Sequence, residues 1–260
     1  MRKRFSIIIA VLSLLWLSGT PRGMALTFGN EQLSYRATYK WGIIQKVAGD
    51  ATMRLTQLPD SSYRAILTAR TRPWADPIFS VRDTLVGRML KNSMLPSLYD
   101  KSTHEGGSYR HDVIHYKYRD DVAYASVERY KKDKKGRITR RDSVMSARIP
   151  AVDMLSVYFY VRRLPFETMK PGTVNRSNIF SGAKIESLAV KYCGRKKIKL
   201  DGVTWDCYEI HFSFSSERMN NSSAPMKAWI RTDGTRIPIK LEGELPIGKI
   251  QVLWNNPDKK

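Results

Sequence analysis

The sequence predicts a mainly antiparallel β protein, one long curved sheet partly closed into a barrel around a central helix at roughly residues 153–164. Three observations carry that expectation. Segment after segment alternates apolar and polar residues with a period of two, the mark of strands buried on one face. Pairs such as Gly106-Gly107 and Asp201-Gly202 separate the segments where hairpin turns belong. One stretch alone, Ala151 to Phe166, is apolar almost all round at helical spacing.

The chain opens with Arg2, Lys3 and Arg4, then an apolar run from Phe5 to Leu17, then small residues leading to Gly23-Met24-Ala25. This is the order of a secretory signal, with Gly23 and Ala25 placed for cleavage after residue 25. The run is short of the roughly 20 residues that span a bilayer, and no later segment approaches that length. The expected product is an exported, periplasmic chain with a single domain over residues 26–260 and no transmembrane segment after processing.

Leu33, Tyr35, Ala37, Tyr39 and Trp41 alternate with polar neighbours and read as the inward face of a first strand. Val47, Gly49, Ala51, Met53 and Leu55 continue on a second, and Tyr63, Ala65, Leu67 and Ala69 on a third, giving a meander. Pro73 and Pro77 break the pattern with a loop or short helical turn. Strands resume near 83–91, 96–104 and 109–118. A long hairpin follows, rising through VAYASVERY, turning at KKDKKGR and returning through ITRRDSVMSARI.

Asp153 suits a helix N-terminus, Arg162 and Arg163 its last turn, and Pro165 its stop. Between them Leu155, Val157, Tyr158, Phe159, Tyr160 and Val161 point in nearly every direction, so the helix is expected to be enclosed by the sheet. A gap between helix and sheet would be an apolar cavity, and these six residues are the candidate ligand-binding set. A fully packed core is the plain alternative. Further strands follow from 174 to the end, interrupted by a polar stretch at 215–225.

Three segments, EQLSYRATYKWGIIQKVAGDATM, DMLSVYFYVRRLPFETMKPG and AWIRTDGTRIPIKLEGELPIGKIQVLW, together resemble the signal-bearing bacterial family of domain of unknown function 3108. The matching residues are Leu33 and Tyr35, then Leu155, Ser156, Tyr158, Phe159, Tyr160 and Arg162, then Trp229, Asp233, Ile237, Pro238 and Gly248. The resemblance implies a curved sheet partly closed around helices, similar in shape to periplasmic lipoprotein and lipid carriers. It implies no catalytic residues.

The formal charge is +21, and removal of Arg2, Lys3, Arg4 and Arg22 with the signal would leave +17. Nucleic acid is the usual partner of so basic a chain, but an exported protein seldom meets it. Anionic lipid head groups or acidic glycans are the expected counterparts, with plain colloidal solubility as the alternative. The charge concentrates between 128 and 148, where Lys131, Lys132, Lys134, Lys135 and Arg137 form the candidate anion-binding set. A solvated hairpin tip explains the same run without a partner.

Catalytic patterns are thin. His104 and His111 fall on one face of a predicted hairpin, but His115 lies too far along its strand to complete a set of three metal ligands. The sequence contains neither a Gly-x-Ser-x-Gly elbow nor a phosphate-binding glycine loop, and no enzyme activity or cofactor is expected. Cys193 and Cys207 are the only cysteines, and export makes a disulfide their default, with buried thiols as the alternative. A strict two-residue turn at Asp201-Gly202 would place Cys193 opposite Ile210, so a bond would need a bulge near Gly194. The reading that results is a non-enzymatic binding protein of the bacterial envelope carrying a lipid or other apolar molecule. The alternative is an envelope scaffold or adaptor that meets an acidic partner through its basic hairpin.

Overall fold

The computed structural model describes residues 26–182, 184–215, 226–245 and 248–257. The predicted signal segment, residues 1–25, lies outside them.

Among the described residues fifteen strands form one sheet. The first eight are a consecutive meander: β1 (Glu31–Trp41), β2 (Ile44–Gln57), β3 (Ser62–Thr71), β4 (Val81–Leu90), β5 (Pro96–Glu105), β6 (Ser108–Arg119), β7 (Val122–Lys132) and β8 (Ile138–Arg148). The chain then enters β9 (Ala151–Asp153) and runs back across the sheet through β10 (Val174–Phe180), β11 (Ile185–Leu200), β12 (Val203–Ser215), β13 (Met226–Arg231), β14 (Pro238–Glu244) and β15 (Lys249–Trp254). The halves join where β15 pairs with β1, Ala37 opposite Val252. Every neighbouring pair is antiparallel except β9 with β10.

The sheet curls into a nearly closed, barrel-like form. Its β9–β10 edge turns in against β5 and β6: the Tyr116 and Phe180 rings meet edge to face at 5.5 Å, and Gly182 sits over Asp112. A side chain at Gly182 would collide with the Asp112 carboxylate, 2.7 Å from where its Cβ would stand, and its φ of +84° also favours glycine. The other edge, β8, stays outside, exposed along most of its length.

The period-two reading survives well. Leu33, Tyr35, Met53, Leu55, Tyr63, Leu67, Leu85, Tyr99 and Ile114 all point into the core. Asp201-Gly202 makes the expected two-residue turn, both residues at positive φ and Leu200 opposite Val203. Alternation fails at the end of β1, where Trp41 is exposed rather than inward. The register shifts between Ala37 and Thr38, and β2 leaves its β3 neighbour at Gly49, opposite Thr71. The tip of the β1–β2 hairpin therefore projects past the strands that would cover it.

The helix is also shorter than the expected span of 153–164. Two short helices occur among the described residues, α1 (Asp76–Phe79) and α2 (Ser156–Arg162). Residues 151–153 extend along β10 instead of coiling. The Asp153 carboxylate then accepts the N–H groups of Leu155 and Ser156 at 2.8 and 2.7 Å, turning the chain into α2. Arg163, at φ −91° and ψ 0°, caps the other end just before Pro165.

Candidate functional site

The barrel has two unlike ends. The turns after β1, β3, β5 and β7 gather at one, the tip end, while α2 and the turn between β13 and β14 fill the other.

At the filled end the helix is fixed by polar as well as apolar contacts. Tyr158 shares a hydrogen bond with Tyr35 at 2.7 Å, both rings buried. Arg162, itself buried, donates to the carbonyl oxygens of Thr235 at 2.8 Å and Arg236 at 3.1 Å and forms a two-point ion pair with Glu31. Its guanidinium also lies over the Phe28 ring, 4.5 Å from the centroid. Arg236 in turn donates to the Leu164 carbonyl and pairs with Glu167. Tyr158 and Arg162, residues of the segment that carried the resemblance, thus lock the helix to the first strand and to the turn between β13 and β14.

The candidate ligand-binding residues belong to this filling. Leu155, Val157, Tyr158, Phe159 and Val161 are all at most 2% exposed, and Tyr160 is half-buried against the same core. Beside them four side-chain polar atoms are buried without a hydrogen-bond partner among the described residues: one oxygen of Asp153, the hydroxyls of Tyr99 and Tyr116, and the Nε of Arg163. Burial pushes Asp153 up to about 6, held back by its bonds to Ser156 and Leu155.

Toward the tip end the inner wall changes to small residues. Ala37, Gly49, Ala51, Ala69 and Val81 line a cavity of about 30 Å³. Asp83 lies on this stretch of wall, one oxygen accepting the His104 N–H at 2.9 Å and the other unpartnered. Burial, reinforced by the nearby charge of Glu105, pushes its carboxyl up to about 8, against the opposing pull of the His104 N–H and Lys101. Asp112, deeper on β6, is compensated by Lys101 at 3.1 Å and Arg129 at 3.0 Å.

All five candidate anion-binding residues, Lys131, Lys132, Lys134, Lys135 and Arg137, are exposed at the β7–β8 tip. Asp133 organises the turn, accepting the Lys135 and Arg137 N–H groups and pairing with Arg137 at 2.7 Å. The four lysines have no such anchor on this turn, and Lys134 reaches across to the Gly106-Gly107 turn.

The expected disulfide does not form: Cys193 and Cys207 are free thiols. A bulge does occur between Tyr192 and Gly194, but it shifts the register by a single residue and leaves Cys207 opposite Lys196. Three strand positions then separate the cysteines, about 10 Å along the strand, beyond the reach of an S–S bridge. Burial raises both thiols, Cys207 to about 12.

That bulge assembles a cluster the sequence did not reveal, the ligand atoms of Cys193, Glu209 and His211 lying within 4.8 Å of one another. Its central carboxylate is already engaged by the Trp229 indole at 2.9 Å, Lys196 at 3.0 Å and His211 at 2.8 Å. A metal would have to displace the lysine. The other histidines stay apart: His111 bonds Asp100 at 2.9 Å, His104 packs on Tyr109, and His115 is exposed opposite Leu98.

Fold and surface together define a single-sheet, barrel-like β protein with a filled interior and a basic tip. The chain belongs to the family described as protein of unknown function DUF3108, whose model matches residues 34–253. Among solved structures it is similar to a β-barrel-like protein of domain of unknown function DUF1849 from Brucella abortus. That likeness has a TM-score of 0.60 at 7% identity and covers 90% of this chain and 98% of the other, so it speaks to the fold alone. A Bacteroides fragilis NCTC 9343 protein with a YmcC-like fold aligns at a TM-score of 0.37 and 9% identity, covering 89% of this chain and 100% of that one. No curated protein matches the sequence.

Proposed function

We propose that this chain is a non-enzymatic adaptor of the bacterial envelope, exported by its N-terminal signal, whose basic β7–β8 tip binds an anionic surface. The observation that carries the reading is the concentration of Lys131, Lys132, Lys134, Lys135 and Arg137, all exposed, on one turn where Asp133 is the only acid. The chemistry recognised is the phosphate, sulfate or carboxylate of a lipid head group or acidic glycan, to which each cation adds about 1 kcal/mol near a charged surface.

Carriage of an apolar molecule between sheet and helix is the second reading, favoured by the unpartnered polar atoms of Asp153, Tyr99 and Tyr116 beside α2. Against it stands the burial of the helix itself, with Leu155, Val157, Tyr158, Phe159 and Val161 all at most 2% exposed in the packed core.

The test is Lys→Glu at 131, 132, 134 and 135, with binding to dextran sulfate and to phosphatidylglycerol-containing vesicles measured across a salt series. The variant is expected to bind at least about tenfold more weakly to both, with a melting temperature little changed because the four lysines are exposed and only Lys134 rests on a neighbouring turn. Binding that ignores the reversal, or ignores salt, would sink the adaptor reading.

A further inference from the structure

The tip end carries a second surface. The β1–β2 hairpin turns at Gly42 and presents Trp41, 55% exposed, Ile43, 102%, and Ile44, 50%. Large apolar side chains this exposed, three within four residues of a projecting turn, are unusual on a surface facing only water. Ile78, 72% exposed on α1, adds a fourth.

These residues and the basic tip share one rim. The Trp74 indole N–H donates to the Val47 carbonyl at 2.8 Å, and Lys46 lies over the Trp74 ring at 4.2 Å, tying the loop around α1 to the base of the hairpin. Phe79, the last residue of α1, packs under Gly106, and Lys134 closes over Gly106 and Gly107. The rim thus runs unbroken from the apolar hairpin to the lysines of the β7–β8 turn. Lys40 and Lys46, both exposed, flank the apolar residues themselves. Three neighbouring acids are engaged, Asp76 with Arg82 at 2.8 Å, Asp50 with Arg72 at 2.9 Å and Glu244 with Lys249 at 2.8 Å, while Glu105 stands beside Gly106 on the same rim.

We infer that the tip end is a membrane-docking face, with Trp41, Ile43 and Ile44 inserting into the interfacial layer of an anionic bilayer while Lys40, Lys46 and the β7–β8 lysines lie against its head groups. An apolar wedge bordered by cations is the composition that binds such interfaces, the wedge through buried apolar area and the cations through surface potential. The indole of Trp41 suits the boundary, apolar in its body and polar at its N–H. The inference deepens the adaptor reading, on which it rests for the anionic character of the surface. It names a bilayer rather than a soluble glycan, because a glycan offers nothing to cover the isoleucines.

The experiment compares three full-length mature proteins, the wild type, the triple variant Trp41→Ser/Ile43→Ser/Ile44→Ser and the tip-reversed variant. Each is sedimented with mixed phosphatidylcholine–phosphatidylglycerol vesicles and titrated with dextran sulfate. The triple variant should bind vesicles at least about tenfold more weakly yet bind dextran sulfate like the wild type, with its melting temperature unchanged because the lost side chains are exposed. Brominated lipid should quench part of the wild-type tryptophan fluorescence, and that part should be missing in Trp41→Phe. A triple variant that binds vesicles like the wild type overturns the inference and leaves the adaptor reading intact. Vesicle binding that survives charge reversal but is lost in the triple variant overturns the adaptor reading and supports insertion. Wild-type protein that ignores vesicles, or that self-associates through Trp41 and its neighbours, overturns the inference in favour of a protein partner for this face.

Discussion

Replacing Arg162 by leucine should be the most damaging single change in the described fold. The guanidinium is buried, with a side chain 1% exposed, and its partner Glu31 is 19% exposed. Leucine fills much of the same volume, so packing loss is secondary. What remains is a largely buried Glu31 carboxylate without its cation, a buried Arg236 carbonyl and a partly buried Thr235 carbonyl without this donor. Removing one partner of a buried ion pair costs about 3–5 kcal/mol, a large part of the 5–15 kcal/mol typical of a whole domain. At about 2–4 °C per kcal/mol for a chain of this size, the melting temperature should fall by about 6–20 °C. Urea unfolding followed by circular dichroism measures the change, and the cycle with Glu31→Gln separates the pair from its surroundings. The more solvated Glu31 should cost less alone, and the double variant should fall short of the sum by about 1–3 kcal/mol. If Arg162→Leu lies within about 1 kcal/mol of the wild type, the polar lock is not what holds α2 in place.

Two further outcomes follow from the interior. Asp83, raised to about 8, is protonated in the folded chain when it would be ionised in the unfolded one, so its contribution to stability is complete below about pH 4 and is lost as pH rises through 8. Between pH 5 and 8 that amounts to about 4 kcal/mol at most, at about 1.36 kcal/mol per unit. Asp83→Asn keeps the acceptor for His104 and should flatten the decline of urea midpoints over this range; an unchanged slope would show that Asp83 titrates normally. Val157→Trp, at a residue with no exposed surface, should cost about 1–3 kcal/mol or more through overpacking, and a variant as stable as the wild type would mean that space for a ligand exists beside α2.

The strands were legible in the sequence because one face of each meets the core, so alternation records burial directly. Turns such as Asp201-Gly202 were legible because positive φ restricts residue choice. The length of α2 was not. The residues from 151 to 164 are nearly all buried whether they coil or extend, and apolar periodicity cannot separate a short strand and turn from the start of a helix. The exposed Trp41 was misread for a related reason: alternation says which way a side chain leaves its strand, not whether a neighbour extends far enough to cover it. The cysteines and the Cys193–Glu209–His211 cluster depend on a single bulge residue in β11, and a bulge has no clear composition of its own. The basic tip was visible at once, since charge needs no fold to be counted.

The pairing of β1 with β15 has a consequence for how the chain acquires its structure. Tyr35 meets Trp254, and the whole ladder joins residues near the start of the domain to residues near its end. Bringing such distant segments together incurs a large loop-closure entropy before any contact offsets it, so folding should be slow for the size of the domain. During synthesis the outer edge of β1 waits without its partner until β15 emerges, and the Arg162 guanidinium, already able to meet Glu31, waits for the carbonyls of the 235–236 turn. Substitutions that weaken that last ladder should therefore lower the yield of folded protein by aggregation more than they lower the stability of the molecules that do fold.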